Sequence, residues 1–180
     1  GSACDLMSVA WFNYAAQQID HDAKRWMADL PDVVTFTHQG ARYGVIHGGI
    51  AAVAEFIWSS SAMEVFNKEW RALEGAVGQV DHIIAGHSGI PFVKETTNGR
   101  WINAGVIGMP PHDGKPQTRF AVLDGGDVQY HALDYDAAGA AAAMAQAGLP
   151  APYARSLITG YWPSEDVLPD DLQVPSLASG

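Results

Sequence analysis

The sequence predicts an α+β fold in which a mixed, mainly antiparallel sheet is flanked by helices. Short apolar runs of strand character end on His, Asn or Gly in the middle of the chain. Two pairs of such runs are joined by Asn98-Gly99 and by Gly125-Gly126, the turn dipeptides that favour hairpins. Segments of helical spacing lie before, between and after these runs, the pattern of helices packed on a sheet rather than of an all-β barrel.

The elements follow in order. Trp11, Tyr14 and Ala15 share a helical spacing, and a second helix runs from Asp20 to Leu30, capped by Asp20 and stopped by Pro31. From Val33 the period changes: Val34 and Phe36, then Tyr43 and Val45, flank His38-Gln39-Gly40-Ala41 and predict two strands joined by a tight turn. Ala51 to Trp58 and Ala62 to Gly75 read as helices, with Phe56, Met63, Phe66, Trp70 and Leu73 as their apolar face. His82 to Ala85 is a short buried strand leading into Gly86-His87. Two hairpins follow, Phe92 to Ile102 and Arg119 to Leu133, and the middle of the chain is therefore expected to be largely antiparallel. The alanine-rich run from Ala137 ends near Gly148-Leu149-Pro150, and a last helix spans Pro152 to Thr159. Asp171 to Gly180 have little to bury and are expected to be mobile.

Composition narrows the function. A chain of 180 residues buries roughly 70% of its unfolded surface and fits one domain. Ten Lys plus Arg against twenty Asp plus Glu give a net charge of −10, which argues against a nucleic-acid or anionic-membrane surface. A phosphate-bearing substrate would need a local cation, and bound metal is the obvious source. The single cysteine, Cys4, excludes an internal disulfide framework and points to a cytoplasmic setting. No basic segment followed by an apolar one opens the chain as a signal peptide would, and the alanine-rich run is too short to span a bilayer.

Three blocks place a polar or Gly-flanked residue at a strand end: Val45-Ile46-His47-Gly48-Gly49, Ile84-Ala85-Gly86-His87-Ser88-Gly89, and Ile102-Asn103-Ala104-Gly105-Val106-Ile107-Gly108-Met109-Pro110. Glycine neighbours let the backbone turn sharply and approach an ion or phosphate. One strand-end histidine is ordinarily a hydrogen-bonded structural residue. Two of them, each beside Gly after an apolar strand, favour metal ligation by neutral imidazole.

In this order and spacing the three blocks resemble the C-terminal motifs of calcineurin-like metallophosphoesterases: an isolated His-Gly, a Gly-His-x-His, and an Asn-Pro-Gly-Ser-Val-Gly-x-Pro block. The resemblance covers about residues 30 to 135. It implies part of a four-layer αββα sandwich, with residues 1–135 as the C-terminal part of the phosphoesterase domain and 136–180 as a helical extension and tail. It also implies divalent metal ions (Mn, Fe or Zn, dinuclear in the family), with His47 and His87 on the same metal and Asn103 and Gly105 on the substrate side of the cleft. A tight turn closing the hairpin is the structural alternative for the last two. The implied reaction is hydrolysis of a small-molecule or nucleotide phosphate ester by a metal-activated water.

Two departures qualify the resemblance. Gly89 stands where the second histidine of Gly-His-x-His belongs, which removes a ligand of the other metal. The family's earlier motifs, Asp-x-His, Gly-Asp and Gly-Asn-His-Asp or Glu, do not occur, and with Gly1-Ser2 in place of an initiator Met the simplest expectation is a preceding segment that carries them. A degenerate, non-catalytic binding module is the first alternative. The second is a serine hydrolase, with His47-Gly48-Gly49 as oxyanion loop, Ser88 as nucleophile, and Asp113 or Asp127 with His131 completing the triad. Against it, Ile90-Pro91 and the strand-like residues beyond do not form the helix that follows a nucleophile elbow. His82, His112 and His131 are read as structural.

Overall fold

The computed structural model describes residues 3–174, and of residues 3–7 the backbone alone. The side chain of Cys4 and residues 175–180 of the expected mobile tail thus lie outside the described residues. Two helices come first, α1 (Ala3–Gln18) and α2 (His21–Ala28). The Asp20 side chain caps α2 by accepting the Ala23 N–H at 2.8 Å, as its position before the helix predicts.

Strands β1 (Val34–His38) and β2 (Ala41–Val45) pair antiparallel across Gln39 and Gly40. Both turn residues have positive φ, 51° and 81°, the geometry a two-residue hairpin loop requires. Helix α3 (Met63–Val77) then leads to β3 (His82–Ala85), β4 (Phe92–Glu95) and β5 (Arg100–Asn103). These build a five-stranded sheet of order β1-β2-β3-β5-β4. The hairpin β6 (Thr118–Asp124) and β7 (Asp127–Leu133) forms a second sheet, joined to the first where Tyr130 donates its hydroxyl proton to the Asn103 carbonyl at 2.9 Å. Helices α4 (Ala137–Gln146) and α5 (Ala151–Thr159) and a 3-10 turn at Asp170–Leu172 complete the described chain. Trp11 of α1 lies 6.4 Å from Tyr153 of α5, so the first and last helices touch. No helix among the described residues is long and apolar enough to cross a membrane.

The α+β class with a mixed sheet is as expected, and two details differ. First, the centre of the larger sheet is parallel: β2 pairs parallel with β3, and β3 with β5, while the outer pairings are antiparallel. Second, Ala51 to Trp58 is not a helix but an irregular loop. Its backbone groups find tertiary partners instead of helical ones. At its start Ala51 N–H, with that of the preceding Ile50, points to the Glu69 carboxylate, and Ile57 gives its N–H to Ser88 Oγ and accepts the Ser88 hydroxyl proton in return. Phe56 accordingly belongs to no helical face, and the buried neighbours Ile57 and Trp58 do not have helical spacing.

The expected face of α3 does fill the core. Phe66, Trp70 and Leu73 pack with Ile46, Ile57, Val80, Ile83, Ala85 and Trp101, and Phe66 meets Trp101 edge-on at 5.4 Å between ring centroids.

Candidate metal centre

Parallel pairing at the centre of the sheet puts the carboxyl ends of β2, β3 and β5 on one edge. Ile84 stands beside Val45 and Ile102, and Ala85 beside Asn103. The ladder continues past the strands: Ile46 N–H to Ile84 O at 3.0 Å, Gly86 N–H to His47 O at 2.7 Å, Ala104 N–H to Ala85 O at 2.8 Å. The three sequence blocks therefore meet, and His47 and His87 leave the sheet side by side. Carboxyl ends of parallel strands are the usual place for a ligand in α/β architecture.

The two imidazoles converge, with His47 Nε2 3.1 Å from His87 Nδ1 and the ring planes 62° apart. Two nitrogens bound cis to one cation at about 2.0–2.1 Å each lie about 2.9–3.4 Å apart, so the pair fits ligation of a single metal. Without a cation, one nitrogen must carry a proton and donate it to the other. The remaining His87 nitrogen, Nε2, is buried and makes no hydrogen bond of good geometry, though the Ala54 backbone acts on the ring. His47 is exposed and His87 half-buried. His87 also takes a left-handed backbone conformation, φ 55°, which few non-glycine residues adopt.

Burial is the main influence on the His87 imidazole and pushes its pKa below the ordinary value; His47 adds to the shift, and the Ala54 backbone opposes it. The neutral form so favoured is the one that binds metal. His82 is lowered too, by burial first and then by Arg100, against Asp81 and Glu95. Its Nδ1 accepts the Arg100 N–H at 3.2 Å, a structural bond between β3 and β5. Both depressed pKa values act in the same sense. Above about pH 6.5 both histidines are neutral in the folded and unfolded states; below it the unfolded chain takes up protons first, and stability falls until the folded-state pKa values are passed. The metal-free chain is thus expected to melt at progressively lower temperature between about pH 7 and pH 5, and replacing both histidines by Gln to flatten that slope.

The loop after His47 is held from below by Glu69 of α3, a fully buried carboxylate. Its Oε2 accepts the Ile50 N–H at 2.5 Å, and Lys68 Nζ lies 3.4 Å from Oε1. Gly48 admits no side chain, since a Cβ there would lie 2.5 Å from the Val53 carbonyl and 3.0 Å from His87 Cβ. Glu69→Ala leaves the Ile50 N–H without its acceptor and is expected to cost about 1–3 kcal/mol, read as a lower urea midpoint at unchanged slope.

The other candidate residues are placed as follows. Asn103 is buried, and its side chain donates to Gly86 O at 3.0 Å and accepts Gly105 N–H at 2.9 Å. It ties the third block to the residue preceding His87, and Gly105 (φ 77°) turns the chain there. Burial pushes the Tyr130 phenol, which bonds the Asn103 carbonyl, up to about 12. Ser88 is 1% exposed with its hydroxyl engaged twice by Ile57, and Phe92 begins a strand rather than a helix. Ser88 is thereby unsuited to be a nucleophile. Among the described residues no three His, Cys, Asp or Glu side chains converge as a metal site.

Gly89 (φ 69°) faces an element the sequence did not connect with it. A Cβ at this position would lie 3.0 Å from Trp162 Cζ2 and 3.4 Å from Val106 Cγ1, so Trp162 takes the space a residue-89 side chain would need. Trp162 is held firmly: its N–H donates to His112 Nδ1 and its indole N–H to the Pro110 carbonyl, each at 2.8 Å. His112 Nε2 in turn meets Glu165 Oε1 at 2.7 Å. The Val174 N–H is the main influence lowering the Glu165 carboxyl pKa; burial opposes it, and His112 adds to the lowering. His112 is thus a buried clamp for the segment after α5. Its partners lie 50 and 53 residues away, so no local pattern could reveal it. His131 is an exposed strand residue stacked on Phe120.

Solved structures resemble this architecture. A hypothetical protein of Pyrococcus horikoshii OT3 superposes with a TM-score of 0.67 at 17% identity, over 81% of this chain and 57% of its own. A metallophosphoesterase from Sphaerobacter thermophilus superposes with a TM-score of 0.63 at 21% identity, over 80% of this chain and 63% of its own. The chain has a metallophosphoesterase fold. The fold likeness agrees with the motif resemblance in the sequence. The chain spans less than two thirds of the length of these two solved structures. No protein-family model and no curated protein matches the sequence.

Proposed function

We propose that the complete protein is a metallophosphoesterase that hydrolyses phosphate esters of small molecules or nucleotides, with His47 and His87 as two ligands of one divalent metal, Mn, Fe or Zn. The observation that carries this reading is the 3.1 Å approach of His47 Nε2 to His87 Nδ1 at the carboxyl ends of adjacent parallel strands. Two ligands do not make a catalytic site, which takes at least about three from protein. The others are proposed to come from residues outside these 180, consistent with the partial cover of the solved structures.

When bound, the metal supplies Lewis-acid chemistry, activating water and offsetting charge on the phosphoryl oxygens. The chain's own residues set the stage for it. Burial favours the neutral form of His87, Glu69 and Gly48 fix the loop that carries His47, and Asn103 and Gly105 shape the substrate side by holding the 103–109 turn against Gly86. In a chain of net charge −10 the cation also draws in an anionic substrate. The lone Cys4 suits the reducing cytoplasm as the compartment.

Trp162 against Gly89 favours a second reading, a degenerate module that keeps the fold for binding alone. One sequencing experiment separates the two. The coding sequence upstream of Gly1 is expected to encode Asp-x-His, Gly-Asp and Gly-Asn in frame, and the protein expressed with that segment to cleave bis-p-nitrophenyl phosphate only with metal. Absence of those motifs, or metal-independent cleavage, refutes the enzymatic reading.

A further inference from the structure

Beside the histidine pair lies a pocket of about 210 Å³, open at one side and formed where the segment after α5 folds back over the ends of β3 and β5. His87, Phe56, Val106, Met109, Trp162 and Val167 make most of its wall. Among the described residues no Asp, Glu, Lys or Arg lines it. That is notable in a chain of this charge, and it sets the pocket apart from the surface around it. Its size is below the roughly 300 Å³ at which drug-sized ligand pockets begin, and it suits a single ring system.

The wall is built rather than incidental. Trp162 is fixed by two hydrogen bonds, one from its backbone to His112 and one from its indole to Pro110, and Glu165 holds His112 in turn. Phe56 stands 4.5 Å from His87 and stacks on Trp58, which itself lies 6.1 Å from Trp162. A flat guest would find aromatic surfaces already in place, with little ordering left to do on binding. Because His87 belongs to both the pocket wall and the histidine pair, a group seated here lies next to whatever that pair holds.

We propose that this pocket binds the non-phosphate part of the substrate and selects a flat, uncharged aromatic ring, such as an aryl or nucleobase group, over aliphatic or charged leaving groups. The proposal rests on the phosphoesterase reading for the word substrate. The pocket's preference for a neutral ring stands on its own lining. A phosphopeptide or polyphosphate tail finds no cation there, whereas a ring gains apolar burial. Gly89 then has a use of its own, since any side chain there would press on Trp162 and Val106, which wall the pocket.

Calorimetric titration of the complete protein with phenyl phosphate and with methyl phosphate, both in excess Mn²⁺, compares esters of equal charge. Burying a ring predicts at least about tenfold tighter binding of the phenyl ester. Val167→Asp should remove that preference, and Val167→Thr, of similar size and uncharged, should keep most of it. Equal affinity for the two esters, or an unchanged preference in the Asp variant when the Thr variant shows the fold intact, overturns the proposal. Neutral phenol supplies the arm that needs no metal. It should shift the indole N–H resonance of Trp162, identified by its loss in Trp162→Phe, with or without Mn²⁺. If phenol shifts it while neither ester shows metal-dependent binding, the pocket assignment stands and the metal reading fails. If phenol leaves it unmoved, the pocket assignment fails whatever the metal does.

Discussion

Replacing His87 by glycine is expected to abolish metal binding and ester hydrolysis in the complete protein while leaving its melting temperature nearly unchanged. The two effects separate because His87 is costly to the fold and central to the proposed site. Its φ of 55° is one that glycine adopts freely, and a non-glycine residue pays about 1 kcal/mol or more there. Its buried Nε2 makes no hydrogen bond of good geometry, with only the Ala54 backbone acting on the ring, so removing the ring gives up little polar pairing. The lost contact with Phe56, 4.5 Å between centroids, works the other way. Loss of a direct ligand should lower metal affinity by more than about 100-fold, the upper range for loss of an outer-shell partner. Metal content by plasma emission spectrometry and turnover of bis-p-nitrophenyl phosphate measure the outcome. Metal content equal to wild type would refute the ligand assignment.

Trp101→Ala is expected to be the most destabilising of the substitutions considered, by about 3–5 kcal/mol, against a total of about 5–15 kcal/mol for a domain. The side chain is fully buried on β5 and meets Phe66 of α3 edge-on, so truncation opens a cavity where helix and sheet join. Trp101→Phe should cost clearly less. It keeps much of the ring and removes an indole N–H that has no partner in the core. Urea unfolding followed by circular dichroism reads both, and a loss under about 1 kcal/mol for the alanine variant would contradict the core assignment.

Local signals were legible where a residue's role depends on its neighbours in the chain. The Asp20 cap, the Gln39-Gly40 turn and the Phe66, Trp70 and Leu73 stripe could each be read directly, because capping, turn chemistry and helical period act over a few residues. The Phe92 to Ile102 hairpin was found, although its strands end at Glu95 and resume at Arg100 around a loop that Thr96 organises by bonding Gly99. What failed was the segment whose partners are distant. Ala51 to Trp58 has helix-compatible composition, yet Glu69 holds the backbone where it begins and Ser88 claims that of Ile57. His47 and His87 were visible as strand-end residues beside glycine; only the family resemblance put them on one metal, because the parallel pairing that brings them together is encoded by no turn or period. The contact of Trp162 with Gly89 was invisible for the same reason.

The separation of the histidine pair has a thermodynamic corollary. His47 and His87 are 40 residues apart in sequence and are brought together by the central strand register, not by a flexible loop with both ligands on it. A cation held there would tie the segment after β2 to the segment after β3. Metal bound by this pair only in the folded chain would therefore stabilise the sheet as a whole by mass action, by an amount that rises with metal concentration.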